Sequence, residues 1–207
     1  MKQETKKLVS GIGTNDLAND IEKQQEIGLT PELYEESTKA WNNRLNAQKK
    51  GRATVCEAWQ LHSNFARWWL ETHIEDWCID KDWLTGGKEY SPSNCVWIPP
   101  KINTLMNDGR KKNNGLPMGV SIQRNKYKDK VYEYYKAQCS VDGVQEAKNF
   151  KNQHEAHRQW QQWKIQEIDN VLREYSFDYR IDGRVIQRLI NLRDSIQSDY
   201  DNNMETQ

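Results

Sequence analysis

The sequence predicts an α+β fold, and three observations carry that prediction. Apolar residues recur at helical spacing over about 31–48, 153–175 and 183–200. Between residues 77 and 107 a strand, a long turn, a second strand and a short helix follow one another. From Gly119 to Phe150 three short strands alternate with turn signals. The expected order is a helical lead-in, a ββα core, a three-stranded antiparallel sheet with its helix, and a C-terminal helix.

Each element has a local reason. Thr30 can cap a helix that has Pro31 in its first position, and Leu33, Ser37, Trp41 and Leu45 then share one face. Lys49-Lys50-Gly51-Arg52 breaks the pattern. A second helix is expected from about Asn64 to His73, with Phe65, Trp68 and Trp69 as its bulky face. Trp77-Cys78-Ile79 reads as a strand, Gly86-Gly87 and Ser91-Pro92 as a long turn, and Cys95-Val96-Trp97-Ile98 as a second strand. Pro99-Pro100 ends that strand and suits the first turn of a short helix over Lys101 to Asn107.

Asp108 to Leu116 has linker composition. The three strands that follow are Gly119 to Ile122, Tyr132 to Ser140 and Ala147 to Phe150. A Lys-rich loop from Arg124 to Val131 separates the first two, and Asp142-Gly143 is a hairpin signal between the last two. Tyr135, Ala137 and Cys139 alternate with Lys136, Gln138 and Ser140, the period of a half-buried strand. The predicted organisation is therefore 1–75 helical lead-in, 76–110 ββα core, 116–175 sheet-plus-helix domain, and 176–207 C-terminal helix with an acidic tail.

Composition narrows the class. The 207 residues suffice for one medium or two small domains, and nine Trp and nine Tyr supply large apolar areas. No apolar run approaches the roughly 20 residues of a membrane span, and MKQETKKLV has no signal-peptide core, so an intracellular protein with no membrane partner is expected. Cys56, Cys78, Cys95 and Cys139 form no C-x-x-C pair and are expected as buried thiols, with no zinc site. The net charge is zero, but its distribution is uneven. Lys101 to Lys136 holds nine basic residues against three acids, and Glu174 onward holds four Arg against seven acids. A basic middle suits a chain that touches phosphate with part of its surface; a plain solvated loop is the bland reading.

The segment from Ile79 to Asn103 (IDKDWLTGGKEYSPSNCVWIPPKIN) places Asp80 at the end of the first strand and Asn103 on the short helix. Two oxygen donors so placed are what a single Mg2+ or Mn2+ would need beside a scissile phosphate. Asn94 stands in the loop before the second strand, where its amide can tie the loop together. Asp80 and Asp82 could instead simply cap a turn.

This segment resembles the phage HNH-type homing endonucleases, in the group that writes the active-site strand as Asp-Lys-Asp followed by Tyr-Ser-Pro. Leu8 to Gly13, Trp41 to Leu45, Val55 to Trp59 and Asn64-Phe65 are similar to that group's lead-in. Leu116 to Val120, Tyr135-Lys136-Ala137, Phe150, Glu155-Ala156 and Trp160 are similar to the ethylene-response-factor type of DNA-binding domain such proteins carry. The resemblance covers about residues 8–172. It implies a ββα-metal core with Asp80 and Asn103 as ligands of Mg2+ or Mn2+, Asp82 and Asn94 as supports, and metal-dependent nicking or cleavage of double-stranded DNA. It places the protein in the host cytoplasm if the chain is phage-encoded.

One departure matters. Most such enzymes have a His general base directly after the first acidic ligand, and here that position is Lys81. A lysine flanked by Asp80 and Asp82 favours its charged form and is a poor base, although it can neutralise phosphate. The alternative is a DNA-binding or partner-binding phage protein that keeps the scaffold without the chemistry.

For the DNA-binding part, a sheet laid in the major groove would present Arg124, Lys126, Lys128, Lys130, Lys136 and Lys148, with Arg124 as the candidate for a bidentate guanine contact. His154 and His157 have metal spacing but no third ligand and are expected to face solvent; His62 and His73 are expected to be structural. Val185, Leu189, Leu192 and Ile196 form a narrow seam that serves either self-association or partner docking, or else packing on the chain's own core.

Overall fold

The computed structural model describes residues 8–105 and 115–206. Residues 108–114 of the expected linker and the last two residues of the expected short helix lie outside them. The helices are α1 (Ile21–Glu26), α2 (Pro31–Lys49), α3 (His62–Thr72), α4 (Asp82–Thr85), α5 (Pro100–Leu105), α6 (Gln153–Tyr175) and α7 (Gly183–Asp201). The strands are β1 (Thr54–Val55), β2 (Cys78–Asp80), β3 (Glu89–Tyr90), β4 (Val96–Ile98), β5 (Val120–Tyr127), β6 (Lys130–Val141) and β7 (Val144–Phe150). The mixed α+β class is as expected. Among the described residues no helix is long and apolar enough to cross a membrane.

The chain forms two compact units, Met1–Trp97 and Ile98–Gln207. The boundary falls inside the ββα segment, so β2 and most of β4 belong to the first unit and α5 to the second. The lead-in helices and the strand–loop–strand segment share one core rather than forming separate domains.

In the first unit α2 begins as the sequence dictates, with Thr30 Oγ1 accepting the Leu33 N–H at 3.3 Å and Pro31 in the first turn. Its Trp41 and Leu45 join Trp59, Phe65 and Trp69 in a core that also takes Ile79, Cys95 and Trp97. Gly13 lies directly on this core: a Cβ there would stand 2.5 Å from Leu45 Cδ1 and 2.6 Å from Trp41 Cζ2. Trp41 Nε1–H donates to Trp59 O at 2.6 Å, so this large buried side chain has its polar atom paired. Asp16 Oδ1 accepts the Ser63 N–H at 2.9 Å in the first turn of α3. Two-residue strands β1 and β3 pair in parallel, Thr54 with Glu89 and Val55 with Tyr90, and β2 pairs with β4.

The second unit is a three-stranded antiparallel sheet in the order β5-β6-β7, covered on one face by α6. Val120, Ala137 and Ala156 form one cluster, and Cys139, Val141 and Trp160 another. The β6–β7 turn is Asp142-Gly143, with φ of 53° and 78°, the primed hairpin geometry the sequence signalled. The Lys-rich stretch, expected as a loop, is strand on both sides of a two-residue turn, Lys128-Asp129, with Tyr127 opposite Lys130. Ladder pairing here outweighs the low strand preference of lysine.

Polar groups lock α6 to its neighbours. Glu167 Oε2 accepts the Asp142 N–H at 2.6 Å, Lys164 Nζ donates to Leu105 O at 2.5 Å, and Lys101 pairs with Glu174 at 2.7 Å and Asp142 at 3.0 Å. α7 packs on α6, burying Val185, Leu189 and Ile196. Of the two roles expected for this seam, packing on the chain's own core accounts for these residues. The exposed apolar side chains nearby are Phe177 and Tyr179, in the connection before α7.

Candidate nucleic-acid interface

The register of the sheet decides what each side offers, because residues paired across an antiparallel ladder share a face. Ala137, Cys139 and Val141 are buried under α6, so their partners Val120, Lys148, Glu146 and Val144 lie on the helix side. The open side carries Ser121, Lys136 and Asn149 in one row, and Gln138 with Ala147 and Ser140 with Gln145 in the next rows. Toward the β5–β6 turn it carries Gln123 with Tyr134, Asn125 with Tyr132, and Tyr127 with Lys130. All of these are exposed or half-buried. No Asp or Glu stands at any of these open-side positions.

The cations proposed from sequence therefore separate. Lys130 and Lys136 stand on the open face. Lys128 is in the turn, its ammonium 5.6 Å from the Tyr127 ring. Arg124 and Lys126 fall on the helix side of the ladder, beyond the covered part, where Arg124 Nε donates to Glu133 Oε2 at 2.9 Å. Lys148 is also on that side, 5.3 Å from the Phe150 ring. The open-face amides Gln123, Asn125 and Asn149 were not singled out from sequence. The signal was present: the burial phase set by Ala137 and Cys139, counted back through a two-residue turn, fixes the face of every β5 residue.

In the first unit the Asp-Lys-Asp strand end is tightly organised. Asp80 Oδ1 accepts the N–H of Asp82 at 2.7 Å and of Trp83 at 2.9 Å, capping the single turn of α4. Its Oδ2 has no hydrogen-bond partner among the described residues. Lys81 is buried, with Nζ donating to Asp82 Oδ1 at 2.5 Å and lying 5.5 Å from the Tyr90 ring. Burial pushes the Tyr90 phenol up, against the opposing pull of Arg44 and Lys81. Asn94 Nδ2 donates weakly to Glu89 O at 3.4 Å, closing the loop ahead of β4. Asn103, half-buried on α5, belongs to the second unit.

Among the described residues no group of three or more His, Cys, Asp and Glu is placed to hold a metal. What Asp80 offers is one carboxylate oxygen, with the other fixed by two amide hydrogens. Such a ligand fits a hard cation that completes its shell with water and phosphate oxygens.

Three of the four histidines are structural, and His157 does not face solvent. His62 Nδ1 meets Asn15 Oδ1 at 3.1 Å and its ring stacks on Trp41; burial pulls its pKa down to about 4. His73 stacks on Trp69 at 4.1 Å. His157 Nδ1–H donates to Met118 O at 2.9 Å, and its Nε2 accepts the Thr206 N–H at 3.0 Å. His154, its expected companion, is exposed. The four cysteines form no disulfide, and burial pushes the Cys95 thiol up to about 12.

No family model, no curated protein and no solved structure matches the chain.

Proposed function

We propose that the chain binds double-stranded DNA through the open face of the β5–β6–β7 sheet, as a protein of the phage homing-endonuclease type. The observation that carries this reading is the placement of the carboxylates on the sheet: Lys130 and Lys136 stand on the open face, where no ladder position holds an Asp or Glu, while Glu133 and Glu146 lie on the other side together with Arg124, Lys126 and Lys148. A face with cations, amides and tyrosine hydroxyls, and no anion, suits a groove lined by phosphates and base edges. Cleavage is assigned to the Asp80 strand end. Mg2+ or Mn2+ held there would neutralise charge on a phosphodiester and on its leaving oxygen. Asp80 would supply Oδ2, with the α4 amides holding Oδ1.

A second reading has its own observation. Lys81, in the base position, is buried and paired with Asp82, so it supports the local fold as readily as any reaction. On that reading the chain binds DNA and does not cut it. Titrating a mixed-sequence duplex and then assaying plasmid nicking, with and without Mg2+ or Mn2+, tests both. Binding with metal-dependent nicking is the expected result. Binding without nicking leaves the second reading, and no binding to any duplex removes both.

A further inference from the structure

The open face of the sheet is rich in one kind of hydrogen-bonding group. Gln123, Asn125, Gln138 and Asn149 lie on it, and their side-chain amides make no hydrogen bond among the described residues. A carboxamide presents one donor edge and one acceptor edge, which matches adenine, whose major-groove edge offers N6–H2 and N7. Guanine offers two acceptors there, O6 and N7, and calls for a two-donor fork. The only arginine in the three strands, Arg124, is on the other side and donates to Glu133. Lys130 and Lys136 are flexible point charges that serve phosphates as well as bases.

Resting on the duplex-binding reading above, we infer that this face reads adenine: it selects A·T-containing sites by amide contacts in the major groove. Gln123 and Asn125 are the specificity-determining pair. Two residues apart on one strand, they are separated by about 6.8 Å, close to two base-pair steps of about 3.4 Å. The cross-strand partners of this pair are Tyr134 and Tyr132, which flank it with hydroxyl groups suited to sugar and phosphate.

The test uses the full chain and duplexes selected from a random pool. The preferred duplex is remade with 7-deazaadenine, which lacks N7, and separately with 7-deazaguanine. The expected result is an affinity about tenfold weaker for the first and little change for the second. Asn125→Ala and Gln123→Ala should abolish the difference between A·T-rich and G·C-rich duplexes, with the salt dependence of binding unchanged. Weakening with 7-deazaguanine instead, or equal binding of every duplex, overturns the inference and leaves duplex binding standing. Failure to bind any duplex overturns duplex binding itself and the inference with it.

Discussion

Gly119 lies flat against the indole of Trp160: a Cβ at Gly119 would stand 1.9 Å from Trp160 Cδ1. The contact is between backbone and a fully buried ring, and Gly119 has a φ of +72°, which disfavours any side chain. Gly119→Ala should destabilise the second unit by about 3 kcal/mol or more, combining overpacking with backbone strain. Urea unfolding read by far-ultraviolet circular dichroism checks this, and a change under about 1 kcal/mol would show that the indole can move aside.

The cap that Asp80 makes is separable from the metal binding proposed for it. Its Oδ1 caps α4 through two amide hydrogens, and an asparagine keeps that acceptor while losing the charge. Asp80→Ala should cost about 1 kcal/mol of stability, and Asp80→Asn much less. Both variants should lose divalent-metal-dependent nicking and retain DNA binding. If Asp80→Asn nicks plasmid as the parent does, Asp80 is not the metal ligand.

The two faces of the sheet should answer differently to salt. Replacing Lys130 and Lys136 with Ala should flatten the slope of log affinity against log salt by about 0.9 for each phosphate no longer neutralised. Lys126→Ala and Lys148→Ala, on the helix side of the ladder, should leave the slope nearly unchanged. Equal effects from the two pairs would move the DNA surface away from the open face.

His62 sets an acid limit on the first unit. Burial holds its folded pKa at about 4, below the ordinary 6.5, so the unfolded chain takes up the proton first as pH falls. The contribution of the neutral ring is complete above pH 6.5 and is lost between 6.5 and about 4. With about 1.4 kcal/mol per pKa unit, the loss amounts to roughly 3 kcal/mol. Denaturant midpoints at pH 7.5, 5.5 and about 4 should fall in that order, and His62→Gln should flatten the trend.

Much of this architecture was legible because long periodic segments and turn chemistry are local. The α2 start at Thr30-Pro31, the α6 and α7 stripes and the Asp142-Gly143 turn follow from neighbouring residues alone. The elements that were not legible share a cause. β1 and β3 are two residues each and exist only because distant segments pair, Thr54 with Glu89 and Val55 with Tyr90. α4 is a single turn that depends on the Asp80 side chain for its first hydrogen bonds, and Gly86-Gly87 beside it carries the composition of a loop. The side of the sheet on which Arg124 falls depends on the length of the Lys128-Asp129 turn; a longer loop there leaves the ladder phase open.

The aromatic core of the first unit has an optical consequence. Seven of the nine tryptophans lie in Met1–Trp97, and two of them, Trp68 and Trp97, are nearly parallel, with centroids 6.2 Å apart and planes 12° apart. The second unit holds two tryptophans, Trp160 and Trp163. The red edge of the protein's absorption thus reports chiefly on the unit that holds Asp80, while seven of the nine tyrosines, Tyr127, Tyr132, Tyr134 and Tyr135 of the sheet among them, weight the tyrosine band toward the second unit.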